Sequence, residues 1–387
     1  MKILKNTFLI ITVLFATLIN LMCSNNSKKK WPTNGWTYSS PKVQLMNLDS
    51  LERLSAKLSS GDLGYIDGML VIRNGEIIFE KSYSNPYDSL FKSTKTAPGK
   101  YNYYDSEWHP FYKNTNLHTL QSVSKSFTAA AIGIAIKNGI IPNVDAKLGN
   151  YLSDPNIDDN LKDAITIKDI LTMTTGIKWD EVSMPYTDTS SSCVKMEASE
   201  NWVQYVLNQP MIFKPGEKWE YSSGATMLLS HIITEATGQD LAKYLEKNLF
   251  NILGIKDYFW KHTPTGLTDA EGGLYLTPKD LAKFGYLYLN NGKWEGTQIL
   301  PHNWVSLNTD NPIDTPWPAL KYGYQWWLMP YGDGKMTLLA SGLGGQRLLV
   351  IPEYNIVAVF TGWNVYDKEA LDSWWTMNRL INAVIQK

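Results

Sequence analysis

Hydrophobic and polar positions along this chain change their spacing twice. Between Gly68 and Tyr83 the run GMLVIRNGEIIFEKSY sets two apolar stretches around Asn74 and Gly75, which predicts a tight antiparallel hairpin. From Ser122 to about Asn138 apolar residues are nearly continuous until Gly139, which predicts a long helix. A second helix is predicted over Ile167 to Thr175, with Thr166 and Asp169 as cap partners and Gly176 as the stop. A third runs from about Ser223 to Ala236, and a fourth follows Thr277, with Pro278 at the first helical position and Asp280 as the box partner. The last third returns to short β-rich runs, YGYQWWLM, KMTLLA, RLLVI and NIVAVFTG, before a closing helix from about Lys368. The polar, proline-punctuated chain from Ser84 to Asn116 reads as a long irregular segment of the kind that borders sites.

Strands at both ends with helices between them predict an α/β (α+β) fold, an antiparallel sheet of about five strands built from both termini and flanked by helices, with an inserted, mostly helical lobe. The α/β part is expected at about 31–118 and 266–387 and the helical part at about 119–265, within one domain, 31–387. With 387 residues, 44% of them hydrophobic and 12% aromatic, the chain can build such a core. A formal net charge of -1 argues for neither nucleic acid nor an anionic membrane as the principal partner, and a small, roughly neutral substrate fits better.

Lys2 and Lys5 precede an apolar run from Phe8 to Met22, which reads as a signal peptide over residues 1–23, followed by a polar tether over 24–30. The run is shorter than the ~20 residues a membrane-spanning helix needs. Cys23 sits where a bacterial lipoprotein is cut and acylated, and ordinary cleavage nearby is the alternative. The expectation is an exported protein, periplasmic, secreted, or held at the membrane only by a lipid on Cys23. Cys193 would then be the remaining thiol, so no disulfide framework supports the fold.

Ser-x-x-Lys occurs at Ser27, Ser39, Ser89, Ser122 and Ser192, and only Ser122 opens a long apolar run. On a helix Lys125 lies one turn from Ser122 on the same face. A lysine in apolar surroundings loses proton affinity and can accept the serine's proton. Unpaired N–H groups at a helix start suit an oxyanion. Taken alone, the motif also fits a polar first turn with a snorkelling lysine. Tyr221, Ser222 and Ser223 precede another apolar helix, where a phenol can share proton transfer or where the group simply caps the helix. Glycines at 342, 344 and 345 before two β-rich runs allow close ligand approach, or mark a bulge. No Gly-x-Ser-x-Gly elbow, His-Glu-x-x-His or paired-cysteine spacing occurs, so neither a histidine triad nor a metal or other cofactor is expected. The polar loop from Met184 to Glu200 is expected to be mobile or exposed, and Cys193 within it incidental.

In order along the chain, these segments resemble the serine β-lactamase and penicillin-binding protein superfamily, in its class C-like branch with family VIII esterases and 6-aminohexanoate-dimer hydrolases. The resemblance includes ITIKDILTMTTGIKWDE, PGEKWEYSSGA, EGGLYLTPKDLAKFGYLYLNNGKWEG and YGYQWW besides the serine and tyrosine motifs. It implies that Ser122 is the acylated nucleophile, Lys125 its activating partner, Tyr221 the group moving protons to and from the leaving group, and Ser223 a support for Lys125. The family's third motif aligns with Leu343, Gly344 and Gly345, which would give Gln346 N–H the role of second oxyanion donor beside Ser122 N–H. Antibiotic-hydrolysing members begin that triplet with a lysine that recognises the substrate carboxylate, and Leu343 cannot do so. The expected function is an exported serine hydrolase acting on esters or amides of smaller, less anionic acyl substrates. The alternatives are a D-alanyl-D-alanine peptidase or β-lactamase, and a non-catalytic binding protein on the same fold.

Overall fold

A computed structural model describes residues 29–85, 117–152, 160–186, 188–364 and 371–385. The predicted signal peptide, Cys23, most of the irregular segment from Ser84 to Asn116, and Lys368 lie outside these residues. Pro32–Lys387 is one compact unit. Among the described residues no helix is long and apolar enough to cross a membrane.

The unit is built on one sheet of nine strands: β1 (Thr37–Tyr38), β2 (Ile66–Arg73), β3 (Glu76–Ser82), β4 (Ile313–Asp314), β5 (Lys321–Tyr322), β6 (Trp327–Tyr331), β7 (Lys335–Gly342), β8 (Gln346–Ile351) and β9 (Ile356–Gly362). Their spatial order is β1-β3-β2-β9-β8-β7-β6-β5-β4, so strands from both ends of the sequence meet where β2 pairs with β9. Every pairing is antiparallel except that of β1 with β3. The expected fold is present, but the sheet is wider than the five strands expected. Three of the strands (β1, β4 and β5) have two residues each, too few to leave a periodic trace in the sequence. The predicted hairpin turns at Asn74 and Gly75, both with positive φ (52° and 83°), the geometry that selects Asn-Gly.

Alternation along the central strands divides the core between two faces. Leu349, Ile351, Ala358 and Phe360 join a cluster with Leu51 and Leu54 of helix α1 (Leu48–Ser59). On the other side a Cβ at Gly285 would lie 2.7 Å from both Leu348 and Val357, so the absent side chain lets its helix approach the sheet closely. The predicted helices appear as α2 (Ser124–Lys137), Ile167–Leu171, α4 (Ser223–Thr237) and α5 (Pro278–Leu289), the helix that carries Gly285; α3 (Ser192–Ala198) lies between them. The closing helix is α6 (Ser373–Asn382), begun by the cap residue Asp372. The Thr166–Asp169 capping box forms as expected, but its helix ends at Leu171, short of the predicted Thr175. Helix α2 is buried on every side from Ser124 to Ala135, which is why its sequence shows so little polar face. Gln325 joins lobe to sheet: its side chain donates to Ile170 O (3.0 Å) and accepts from Thr226 (2.9 Å), and its carbonyl accepts from Ser126 (2.7 Å).

Candidate active site

Ser122 sits in a single 3₁₀ turn, Gln121–Val123, that runs directly into α2. Gln121 holds a left-handed conformation (φ 48°), the kind of backbone strain that persists where surrounding structure fixes a functional turn. Lys125 Nζ donates to Ser122 Oγ at 2.9 Å, to the backbone carbonyl of Glu271 at 2.8 Å and to Glu271 Oε2 at 3.1 Å, so all three ammonium protons are placed. Tyr221 comes just before α4 and lines the same cavity as Ser122, which is among the groups that act on its phenol. Lys125 Nζ lies 5.3 Å from the centre of the Tyr221 ring. The serine–lysine pair and the tyrosine, singled out from separate parts of the sequence, thus meet at one cavity.

Their charges differ from the sequence expectation. Burial pushes Lys125 towards neutrality, as anticipated, but the charged groups around it, the carboxylates of Glu271 and Glu181 among them, push its pKa upward, and the net direction is up. The resting lysine is an ammonium. Tyr221 is pushed upward by burial, with Lys125 opposing, so its phenol keeps its proton.

Ser223 does not support Lys125 as expected. Its hydroxyl donates to Glu181 Oε1 at 2.6 Å and its N–H to Glu181 Oε2 at 2.7 Å. The same carboxylate accepts from Trp179 Nε1 (2.7 Å) and the Tyr186 hydroxyl (2.7 Å), and is 1% exposed. The contact on Lys125 comes instead from Glu271, a residue the sequence reading passed over although it opens the quoted segment EGGLYL.

Gln346 also departs from its expected place. It opens β8, pairs in register with Gly342, and is fully buried, its side chain bonded to the Gly362 carbonyl and to Leu343 O. It does not line the cavity beside Ser122, whereas Ser341, Gly342, Leu343, Gly344 and Gly345 do. The alignment to the third motif was therefore set too late. Leu343, Gly344 and Gly345 form the turn beyond the strand, with Gly344 and Gly345 at φ 85° and 97°. The strand end that abuts the nucleophile is Gly342, where a Cβ would lie 2.3 Å from Leu120 O and 3.1 Å from the Gln121 side chain.

The cavity has a volume of about 450 Å³ and is walled by Ser122, Tyr186, Tyr221 and the aromatic residues Trp317, Trp327 and Trp374. Trp327 stacks on Tyr221 at 5.7 Å and 19°, and Trp219 packs against Tyr221 and Trp327 from behind. Of the other aromatic residues near the motifs, Trp326 packs on Phe284 in the core and Trp363 against His118. The loop expected over Met184 to Glu200 is partly helix α3, with Cys193 and Met196 buried. Burial, then Glu181 and Glu271, push the Cys193 thiol well above its ordinary range, so it is no nucleophile. Cys193, Glu197 and Glu271 offer atoms within 4.8 Å of one another, but a metal ion there would face the Lys125 ammonium across Glu271.

A mixed sheet carrying a serine beside a lysine at the head of a buried central helix, with a tyrosine brought in from a helical lobe, is the arrangement of a β-lactamase-fold serine hydrolase. The Beta-lactamase family profile matches residues 66–375, and the chain belongs to that family. It is 25% identical over 262 residues to the 6-aminohexanoate-dimer hydrolase of Paenarthrobacter ureafaciens, covering 62% of this chain and 65% of that one. The match therefore spans just under two thirds of that relative. In structure it is similar to a putative 6-aminohexanoate-dimer hydrolase from Bacillus anthracis, with TM-score 0.67, 20% identity and coverage of 92% of this chain and 88% of that one. It is also similar to a D-stereospecific amidohydrolase from Streptomyces sp., with TM-score 0.58, 16% identity and coverage of 85% and 96%.

Proposed function

We propose that this chain hydrolyses ester or amide bonds of small substrates through an acyl-enzyme on Ser122. The observation that carries the reading is the 2.9 Å hydrogen bond from Lys125 Nζ to Ser122 Oγ at the wall of an aromatic cavity. Because Lys125 rests as an ammonium, it must lose a proton before it can take one. Glu271 Oε2, 3.1 Å away, receives it, and Lys125 then accepts the Ser122 proton as Oγ attacks the substrate carbonyl. Tyr221, which rests protonated, gives its proton to the departing alcohol or amine. Acylation leaves Glu271 neutral, Lys125 charged and Tyr221 as phenolate beside that charge. In deacylation the phenolate takes a proton from the attacking water. Lys125 returns a proton to Ser122 Oγ as the acid leaves and recovers its own from Glu271, which restores the resting site.

The backbone N–H groups of Ser122 and of Leu343, the first residue beyond β7, are the donors assigned to the oxyanion, the latter in place of Gln346. One such donor is typically worth roughly 10² to 10³ in rate. The signal-like residues 1–23 support export of the enzyme. A fluorophosphonate probe should label the full chain and fail to label Ser122→Ala, and p-nitrophenyl esters of graded chain length should be turned over only by the wild type. Labelling that persists in Ser122→Ala would overturn the assignment.

A further inference from the structure

Helix α3 sets Cys193 and Glu197 one turn apart on the same face, and that face meets Glu271, so that Cys193 Sγ and one oxygen of each carboxylate lie within 4.8 Å of one another. The thiol is free, 3% exposed, and makes no hydrogen bond among the described residues. Glu271 is buried beside it, whereas Glu197 is half-buried and opens the cluster to solvent on one side. A thiol and two carboxylates converging in this way are one soft donor and two hard ones, the set that suits a borderline-soft divalent ion and that magnesium or calcium does not select. The Lys125 ammonium across Glu271 does not exclude such an ion. A divalent cation and the ammonium together match one thiolate and two carboxylates in charge. Glu271 can serve both, because a carboxylate offers about four lone-pair sites on its two oxygens and Lys125 occupies Oε2.

We propose that Cys193 Sγ, Glu197 and Glu271 form a binding site for a zinc-class divalent cation, whose occupancy withholds Glu271 from Lys125 and halts hydrolysis. Ligand atoms about 2.0 to 2.3 Å from zinc in a tetrahedral site stand about 3.3 to 3.8 Å apart, so rotation of the half-buried Glu197 side chain closes the set, with water in the fourth position. Binding forms the metal–sulfur bond, breaks the S–H bond and releases that proton to water. The lone pair with which Glu271 would take the Lys125 proton is then shared with the ion. Lys125 stays an ammonium and cannot accept the proton of Ser122. The inhibition rests on the acyl-enzyme reading above, whereas the ion site does not. It runs against the sequence expectation that Cys193 is incidental, because the third ligand comes from beyond α4 and only packing brings it to α3.

The test uses the full chain carrying Cys23→Ser, in which Cys193 is the remaining thiol. After treatment with a chelator, Cd²⁺ should bind at one ion per chain with the ultraviolet absorption of a metal–thiolate bond, Zn²⁺ should displace it, and Mg²⁺ should do neither. By calorimetric titration Cys193→Ser and Glu197→Gln should each weaken Zn²⁺ at least about tenfold. Zn²⁺ should also slow turnover of a p-nitrophenyl ester, chelator should restore it, and the ratio of rates with and without the ion should return to near one in Cys193→Ser. Absence of thiolate absorption overturns the site, and that measurement decides even where Cys193→Ser fails to fold; Zn²⁺ affinity unchanged in Cys193→Ser overturns it too. Binding with no inhibition overturns the block on Glu271. Thiolate absorption without fluorophosphonate labelling of Ser122 sinks the hydrolase reading and leaves the ion site standing.

Discussion

Lys125 Nζ and Glu271 Oε2 lie 3.1 Å apart across 146 residues of sequence, with only 1% and 9% of their side-chain surfaces exposed. A buried pair of this kind exchanges a proton more readily than a lysine exchanging with water, because neutralising both partners relieves their shared desolvation. Glu271→Gln keeps the size and the acceptor but cannot take the proton. At pH 7 its kcat is expected to fall by roughly 10² to 10⁴, the usual range for a lost acid or base. The variant should regain rate as pH rises, since water must then deprotonate a lysine that burial pushes downward and that one carboxylate fewer holds up. A pH-rate series on a p-nitrophenyl ester checks this; a variant as fast as wild type removes Glu271 from the proton path.

Glu181 and Ser223 answer to stability more than to chemistry. Glu181→Ala strands the Trp179, Tyr186 and Ser223 donors that its carboxylate accepts, one of them a backbone N–H. Each buried group left unpaired costs about 1 to 3 kcal/mol, so a loss of at least about 3 kcal/mol is expected for the set. Ser223→Ala leaves Glu181 with three donors and should cost about 1 to 2 kcal/mol. Denaturant midpoints of the two variants read this order. A displaced pH-rate profile in Ser223→Ala without loss of stability would return Ser223 to the side of Lys125.

Gly342 sets how near β7 comes to the nucleophile turn. An alanine methyl there would meet Leu120 O at 2.3 Å, and a backbone atom cannot swing aside as a side chain does. Overpacking of this kind costs about 1 to 3 kcal/mol. Because the displaced partner is the turn before Ser122, kcat for Gly342→Ala should fall at least about tenfold, as small misplacements at reacting atoms do. Unchanged kcat with lowered stability would show that the strand end does not set the serine's position.

Local signals carried the elements and the three motif side chains. Asn74-Gly75, the Thr166–Asp169 box and Thr277-Pro278 are fixed by neighbours in sequence, and the structure uses each where it was expected. Ser122 and Lys125 are likewise one turn apart. What escaped were pairings set by the packed lobe and sheet: Glu271 on Lys125 and Glu181 on Ser223 join residues 146 and 42 positions apart, and no periodicity encodes them. The third motif failed for a related reason. Glycines at 342, 344 and 345 look alike in sequence, and only strand pairing tells that Gly342 ends β7 while the other two turn the corner.

Asp269, two residues before Glu271, makes the neighbourhood of the relay sensitive to pH. It is 6% exposed, and Oδ1 accepts the N–H of Gly272 at 3.1 Å. Burial and then the charge of Glu271 push its carboxyl up to about 7 from an ordinary 3.8, against the opposing pull of Lys261, the Gly272 N–H and Lys125. An acid whose folded pKa is raised binds more protons folded than unfolded between those values. Its contribution to stability is therefore complete below about 3.8 and is lost as pH rises through about 7. Asp269→Asn keeps an acceptor for Gly272 and removes the titration. Between pH 5 and pH 8 the wild type should lose on the order of a few kcal/mol that the variant retains. Denaturant unfolding of both proteins at the two pH values measures the difference, and parallel losses would place the titration elsewhere.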